Sequence, residues 1–88
     1  MGEIFMDRIL KTRLIVVGDM SIFQWACDVG AKFDGKDANY ATMHGRLEML
    51  EVIERRSGAL PDRMAVNCCK DERVIKWCAE RSIFQGKI

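Results

Sequence analysis

Cys27, Cys68, Cys69, Cys78 and His44 are the residues of this chain that could hold a metal ion or supply a thiol nucleophile. Tetrahedral zinc sites are usually built from ligand pairs two to four residues apart. Here the only close pair is the adjacent Cys68–Cys69. Neighbouring residues on a helix point about 100° apart, so such a pair seldom shares one ion. A Cys–His nucleophile needs a third group to orient the base, and His44, just before Gly45, reads as a turn residue. No carboxylate pair stands out, and there is no phosphate loop of the GxGxxG or GxxxxGK type. The expectation is no enzyme, no metal and no cofactor, with the thiols as small buried or half-buried residues.

The elements that carry these residues turn on one stretch, "LIVVGDMSIFQW" (14–25). Four apolar residues running into Gly-Asp resemble a buried strand feeding a catalytic loop, which would suit a small α/β enzyme fragment. The same letters fit the end of one helix, a glycine turn and the start of another. A parallel sheet would need several more strand-like runs, and the chain has none.

With 88 residues the chain has room for one small domain, and 49% apolar and 31% charged residues exclude a disordered composition. The net charge of +1 argues against a dedicated nucleic-acid binder, which usually carries a basic surplus. The longest apolar run, Leu14 to Val17, is too short to cross a bilayer. "MGEIFMDRIL" interleaves charges where a secretory signal needs a continuous apolar core, and Met6 stands where a myristoylation signal wants Ser or Thr. Four cysteines without an export signal suit a reducing, intracellular compartment.

Self-alignment favours the helical reading. "GDMSIFQWA" (18–26), "GRLEMLEVI" (45–53) and "KDERVIKWC" (70–78) share one pattern at offsets of 27 and 25 residues, with Trp25, Val52 and Trp77 equivalent. Periods of this size mark stacked supersecondary units. The second "SIFQ", at 82–85, lies off the period and reads as coincidence. Each copy scans as a helix: Leu47, Met49, Leu50 and Ile53 form an apolar stripe in the second, Met20, Ile22, Phe23 and Ala26 in the first, and Val74, Ile75 and Cys78 in the third. A second helical segment precedes each, over roughly 5–17, 37–44 and 62–69. Asp34 and Asp37, and then Pro61-Asp62, are helix starts; Gly30 and Gly58 are stops; turns fall near Gly18, Gly45 and Lys70.

The expected fold is all-α, a single domain over 1–88: a short solenoid of antiparallel helical hairpins in two and a half to three units, near 5–31, 37–58 and 62–82 with a tail at 83–88. "ATMHGRLEMLEVI" (41–53), "IFQWACDVGAKFD" (22–34) and "RLEMLEVIERRSGALPD" (46–62) resemble the short, divergent ankyrin-like units abundant in large DNA viruses of protists and in some protist genomes. The resemblance covers roughly residues 14–81 and is clearest in the middle unit. It departs from the family pattern at Lys70, which replaces the turn glycine, and in lacking TPLHxA. The units are also shorter than the family's usual length of about 33 residues. The resemblance implies protein–protein binding and no catalysis.

Trp25 and Trp77 are expected core anchors. Arg46, Arg55, Arg56, Arg63, Lys70, Arg73, Lys76 and Arg81 alternate with Glu48, Glu51, Glu54 and Glu80, as on a solvated, salt-bridged face. A helical nucleic-acid binder is the alternative function. Partner contacts are expected on inner helices and inter-unit loops, at Lys32, Phe33, Lys36, Asn39, Tyr40, Met43, Leu60, Arg63 and Asn67. Ile4, Phe5, Met6, Ile9 and Leu10 at one end, and Ile83, Phe84 and Ile88 at the other, leave both ends apolar. Such ends predict self-association or a place in a larger assembly, unless the first half-helix folds back as a cap.

Overall fold

A computed structural model describes residues 8–86, and among them there are six α-helices and no strand. They are α1 (Arg8–Val17), α2 (Met20–Asp28), α3 (Gly35–Met43), α4 (Leu47–Ser57), α5 (Arg63–Cys68) and α6 (Glu72–Ala79). The stretch "LIVVGD" closes α1 and turns at Gly18, so it is not a strand. Ile4, Phe5, Met6 and Ile88 lie outside the described residues.

The starts of the helices are written in aspartates. Asp34 Oδ1 accepts the N–H groups of Lys36 and Asp37 at 3.0 and 3.3 Å, and Asp37 Oδ2 takes the N–H of Asp34 at 2.9 Å. This reciprocal box satisfies amides that have no partner within α3, which begins two residues before the expected segment. Asp19, Asp62 and Asp71 cap α2, α5 and α6 in the same way. Only α4 lacks a side-chain cap among these five, because its cap position holds Arg46, where α2 and α6 have Asp19 and Asp71.

The helices pack in two rows. α3 lies against α1 on one side and α5 on the other; α4 lies between α2 and α6; α1 meets α2, and α3 meets α4, across the rows. Ala38 and Ala41 are fully buried and let α3 approach its three neighbours closely. The buried Thr42 hydroxyl is satisfied by donating to Ala38 O at 2.8 Å. Ile15, Phe23, Met49, Leu50, Ile53, Val66 and Val74 fill the space between the rows, and Phe23 and Phe33 pack with ring centroids 4.6 Å apart.

Two contacts lock successive turns together. The Arg46 guanidinium reaches back to donate to Ile15 O at 3.0 Å and to Val16 O, carbonyls that the end of α1 leaves unpaired. It thereby covers Gly18, where φ is 81° and an added Cβ would lie 2.8 Å from Arg46 Cζ. Asp71 covers Gly45 likewise, with φ 69° and an added Cβ 3.1 Å from Asp71 Oδ2. Both glycines thus answer to a positive φ and to a neighbour lying on the turn. Lys70, the third turn residue, does not face the first demand: no positive φ occurs there, and Cys69 before it is extended.

One expected anchor is not in the core. Trp77 is 6% exposed, but Trp25, its equivalent, is 54% exposed. In α6 the indole is covered by α4 and by Arg81, whose guanidinium stacks 3.8 Å from its ring centre. No described helix precedes α2 in its row to do the same. Ile22 is exposed for the same reason.

Candidate interaction face

Two charge pairs join neighbouring helices, each through an arginine at a corresponding position. Arg56, four residues after Val52, binds Asp28 of α2 at 2.5 Å. Arg81, four residues after Trp77, binds Glu54 of α4 through two parallel hydrogen bonds of 2.6 and 2.9 Å and donates to Trp77 O at 3.0 Å. That pair holds the Glu54 carboxyl below, and the Arg81 guanidinium above, their ordinary values. Arg56 and Arg81 thus bridge helices, whereas Glu48, Glu51, Arg55, Arg63, Lys70, Arg73, Lys76 and Glu80 lie exposed, as on a solvated face.

The expected contact residues fall on three parts of the surface. Lys36, Asn39 and Leu60 line one shallow groove with Asp34 and Asp62, about 330 Å³ in volume. Lys32 and Phe33 line a cleft of about 300 Å³ with Cys27, Val52 and Arg56, although most of the Phe33 ring is buried against Phe23. Arg63 borders a third cleft with Ile83 and Phe84. Tyr40 is half-buried and Met43 exposed on α3. Asn39 and Asn67 are committed within the fold: Asn39 accepts the N–H of Asp62 at 2.7 Å and donates to its carboxylate at 3.1 Å, while Asn67 accepts the N–H of Gly86 at 2.6 Å.

Sequence reasoning passed over the feature that organises this surface. Val16, Met43 and Cys68 each stand two residues before a turn residue (Gly18, Gly45, Lys70) on α1, α3 and α5, which lie side by side. All three are exposed, Val16 at 40% and Met43 at 39%. Ile9 on α1 and Met64 on α5 add two strongly exposed apolar side chains on the outer ends of the row. The signal was available in the position relative to the turn, but Val, Met and Cys share no letter pattern.

The thiols correct part of the expectation. Cys69 and Cys78 are buried and Cys27 half-buried, but Cys68 is exposed. Burial pushes the Cys27 and Cys69 thiols up, and Cys78 up to about 11, so these three stay protonated near neutral pH and are poor nucleophiles. His44 closes α3 as an exposed turn residue, its N–H bonded to Tyr40 O at 3.1 Å. Among the described residues no group of three or more His, Cys, Asp or Glu is placed to hold a metal ion. Nor is any helix among them long and apolar enough to cross a membrane.

Compared with known proteins, the chain matches no family model, no curated protein and no solved structure. Its functional reading rests on its own residues.

Proposed function

We propose that the chain is a non-enzymatic protein-recognition module, a short solenoid of antiparallel helical hairpins that binds its partner along the exposed side of α1, α3 and α5. The observation that carries this reading is the recurrence of an exposed apolar side chain at one position, Val16, Met43 and Cys68, on three adjacent helices. A rigid row of helices presents such residues as a stripe, and contiguous exposed apolar surface marks interaction sites. Lys36 and Tyr40 lie beside the stripe on α3 and supply a polar rim. The recurrence also suits the resemblance to short ankyrin-like units, and free thiols suit an intracellular setting. A nucleic-acid interface is disfavoured because Arg46, Arg56, Arg73 and Arg81 are each engaged by carbonyls or carboxylates of this chain.

The test compares the chain with a Val16→Glu/Met43→Glu variant as bait in the native source, read by mass spectrometry. The reading expects a protein partner retained by the parent chain and lost by the variant, with both circular dichroism spectra helical. Retention of nucleic acid alone, released steeply by salt, would overturn it.

A further inference from the structure

We propose that the flank of α2 carrying Ile22 and Trp25 is a docking surface for the α5–α6 end of a second copy of this chain, stacked head to tail. This rests on the hairpin-stack reading but concerns a different surface from the partner-binding row. The occupant is read from what covers the same positions elsewhere in the molecule. Ile22, Met49 and Val74 are equivalent, as are Trp25, Val52 and Trp77. Met49 and Val52 are buried on α4, which packs on α2; Val74 and Trp77 are buried on α6, which packs on α4. Only on α2 are both members of the stripe exposed. Twice, then, the structure shows this stripe covered by a neighbouring hairpin of the same kind. The third instance calls for the same type of cover.

The opposite end of the molecule is shaped to supply it. Residues 82–86 follow the course by which earlier segments leave one hairpin for the next. Ser82 takes a φ of 65° and the Ile83 N–H returns to Cys78 O at 2.9 Å, as the Ala31 N–H returns to Ala26 O at 2.9 Å after Gly30. Asn67, the fifth residue after its helix cap, then holds the N–H of Gly86. Asn39, the fifth after its own cap, holds the N–H of Asp62, which caps the next helix. The tail beyond α6 thus follows the path that, earlier in the chain, runs along the side of a helix row where a further hairpin packs.

Charge fixes the direction of stacking. Within the chain, the residue after each turn lies on the previous turn: Arg46 on Gly18, and Asp71 on Gly45. Carried across a boundary between copies, the same step lays Asp19 on Lys70, both exposed and of opposite sign. Pairing two α2 flanks with each other would leave Lys70 without that contact.

The experiment measures mass by light scattering across micromolar to high micromolar concentrations. It uses the parent chain, a front-blocked Trp25→Glu variant and a rear-blocked Lys70→Glu/Ala79→Arg variant, each checked for helical circular dichroism. The parent's mass is expected to rise with concentration. Trp25→Glu should lower the association constant by on the order of tenfold or more, as loss of a central aromatic anchor does. Each blocked variant should be monomeric, and an equimolar mixture should form a 1:1 pair, since each supplies the end the other lacks. A parent that stays monomeric overturns the proposal, and so does a rear-blocked variant that associates as well as the parent. The two readings separate cleanly: Val16→Glu/Met43→Glu should leave the mass profile unchanged, and Trp25→Glu should leave partner capture unchanged.

Discussion

Replacing each tryptophan by alanine tests whether place in the fold, and not residue type, sets its contribution to stability. Truncating a buried tryptophan costs about 3–5 kcal/mol. At Trp77 two local features modify that figure. The indole Nε1 is buried with no hydrogen-bond partner among the described residues, so removing it relieves a penalty of about 1–3 kcal/mol. The Arg81 guanidinium loses the ring it stacks on at 3.8 Å, a further loss of about 1 kcal/mol. Taking the middle of each range, Trp77→Ala should destabilise by about 3 kcal/mol. Trp25 is 54% exposed, so less than half of the transfer energy of a large apolar side chain, about 1 kcal/mol, is at stake there. A domain of this size shifts its melting temperature by about 4–8 °C per kcal/mol. Thermal melts followed by circular dichroism at low micromolar concentration should therefore place the Trp77→Ala midpoint at least about 8 °C below that of Trp25→Ala. Equal shifts, or a larger one for Trp25→Ala, would refute the assignment of these equivalent positions to core and end.

Stability should also fall in acid through Glu54. Its hydrogen bonds to Arg81 hold the folded carboxyl below the ordinary value of 4.5, so its contribution is present above that value and is lost as pH drops through the folded one. Glu54→Gln should flatten that part of the melting-temperature profile, and an unchanged profile would contradict the coupling. The thiols should alkylate in two stages, Cys68 promptly in the native state and Cys69 and Cys78 only on unfolding. Peptide mapping that found Cys78 modified as fast as Cys68 would show the α4–α6 contact to be open.

What could be read from the sequence was local. The Asp34–Asp37 box, the Pro61-Asp62 start and the turns at Gly18 and Gly45 depend on residues within one turn of one another, and each falls within a residue or two of its expected place. Cys68 was misplaced because a two-residue pair on a helix edge gives no sign of which thiol turns inward. Trp25 failed for a different reason. The sequence pattern aligned it with Trp77, and such an alignment speaks to the local helix but not to burial, which needs a neighbouring helix. The exposed row of Val16, Met43 and Cys68 was hidden by chemistry: three unlike letters occupy one geometric position, whereas the core stripes repeat in residue type.

Arg46 shows how a residue that does not cap its own helix can tie distant segments of the chain together. Asp19 and Asp71 each spend their carboxylate on the first amides of their own helix and so stabilise it locally. The arginine between them cannot accept such bonds, and α4 begins without a side-chain cap, a loss of about 1 kcal/mol against an aspartate. In exchange its cationic fork satisfies two carbonyls of α1 across a sequence separation of 31 and 30 residues, and charged hydrogen bonds contribute about 1.5–3 kcal/mol each. The exchange favours arginine wherever a preceding hairpin offers those carbonyls. At position 71 the preceding turn is at Gly45, and there aspartate both caps α6 and packs on the glycine. The start of α4 therefore gives up local stability to grip the end of α1. Beside the packed core, Arg46 thus ties the turn before α4 to the end of α1, a long-range contact that the aspartate caps, each spent within its own helix, do not supply.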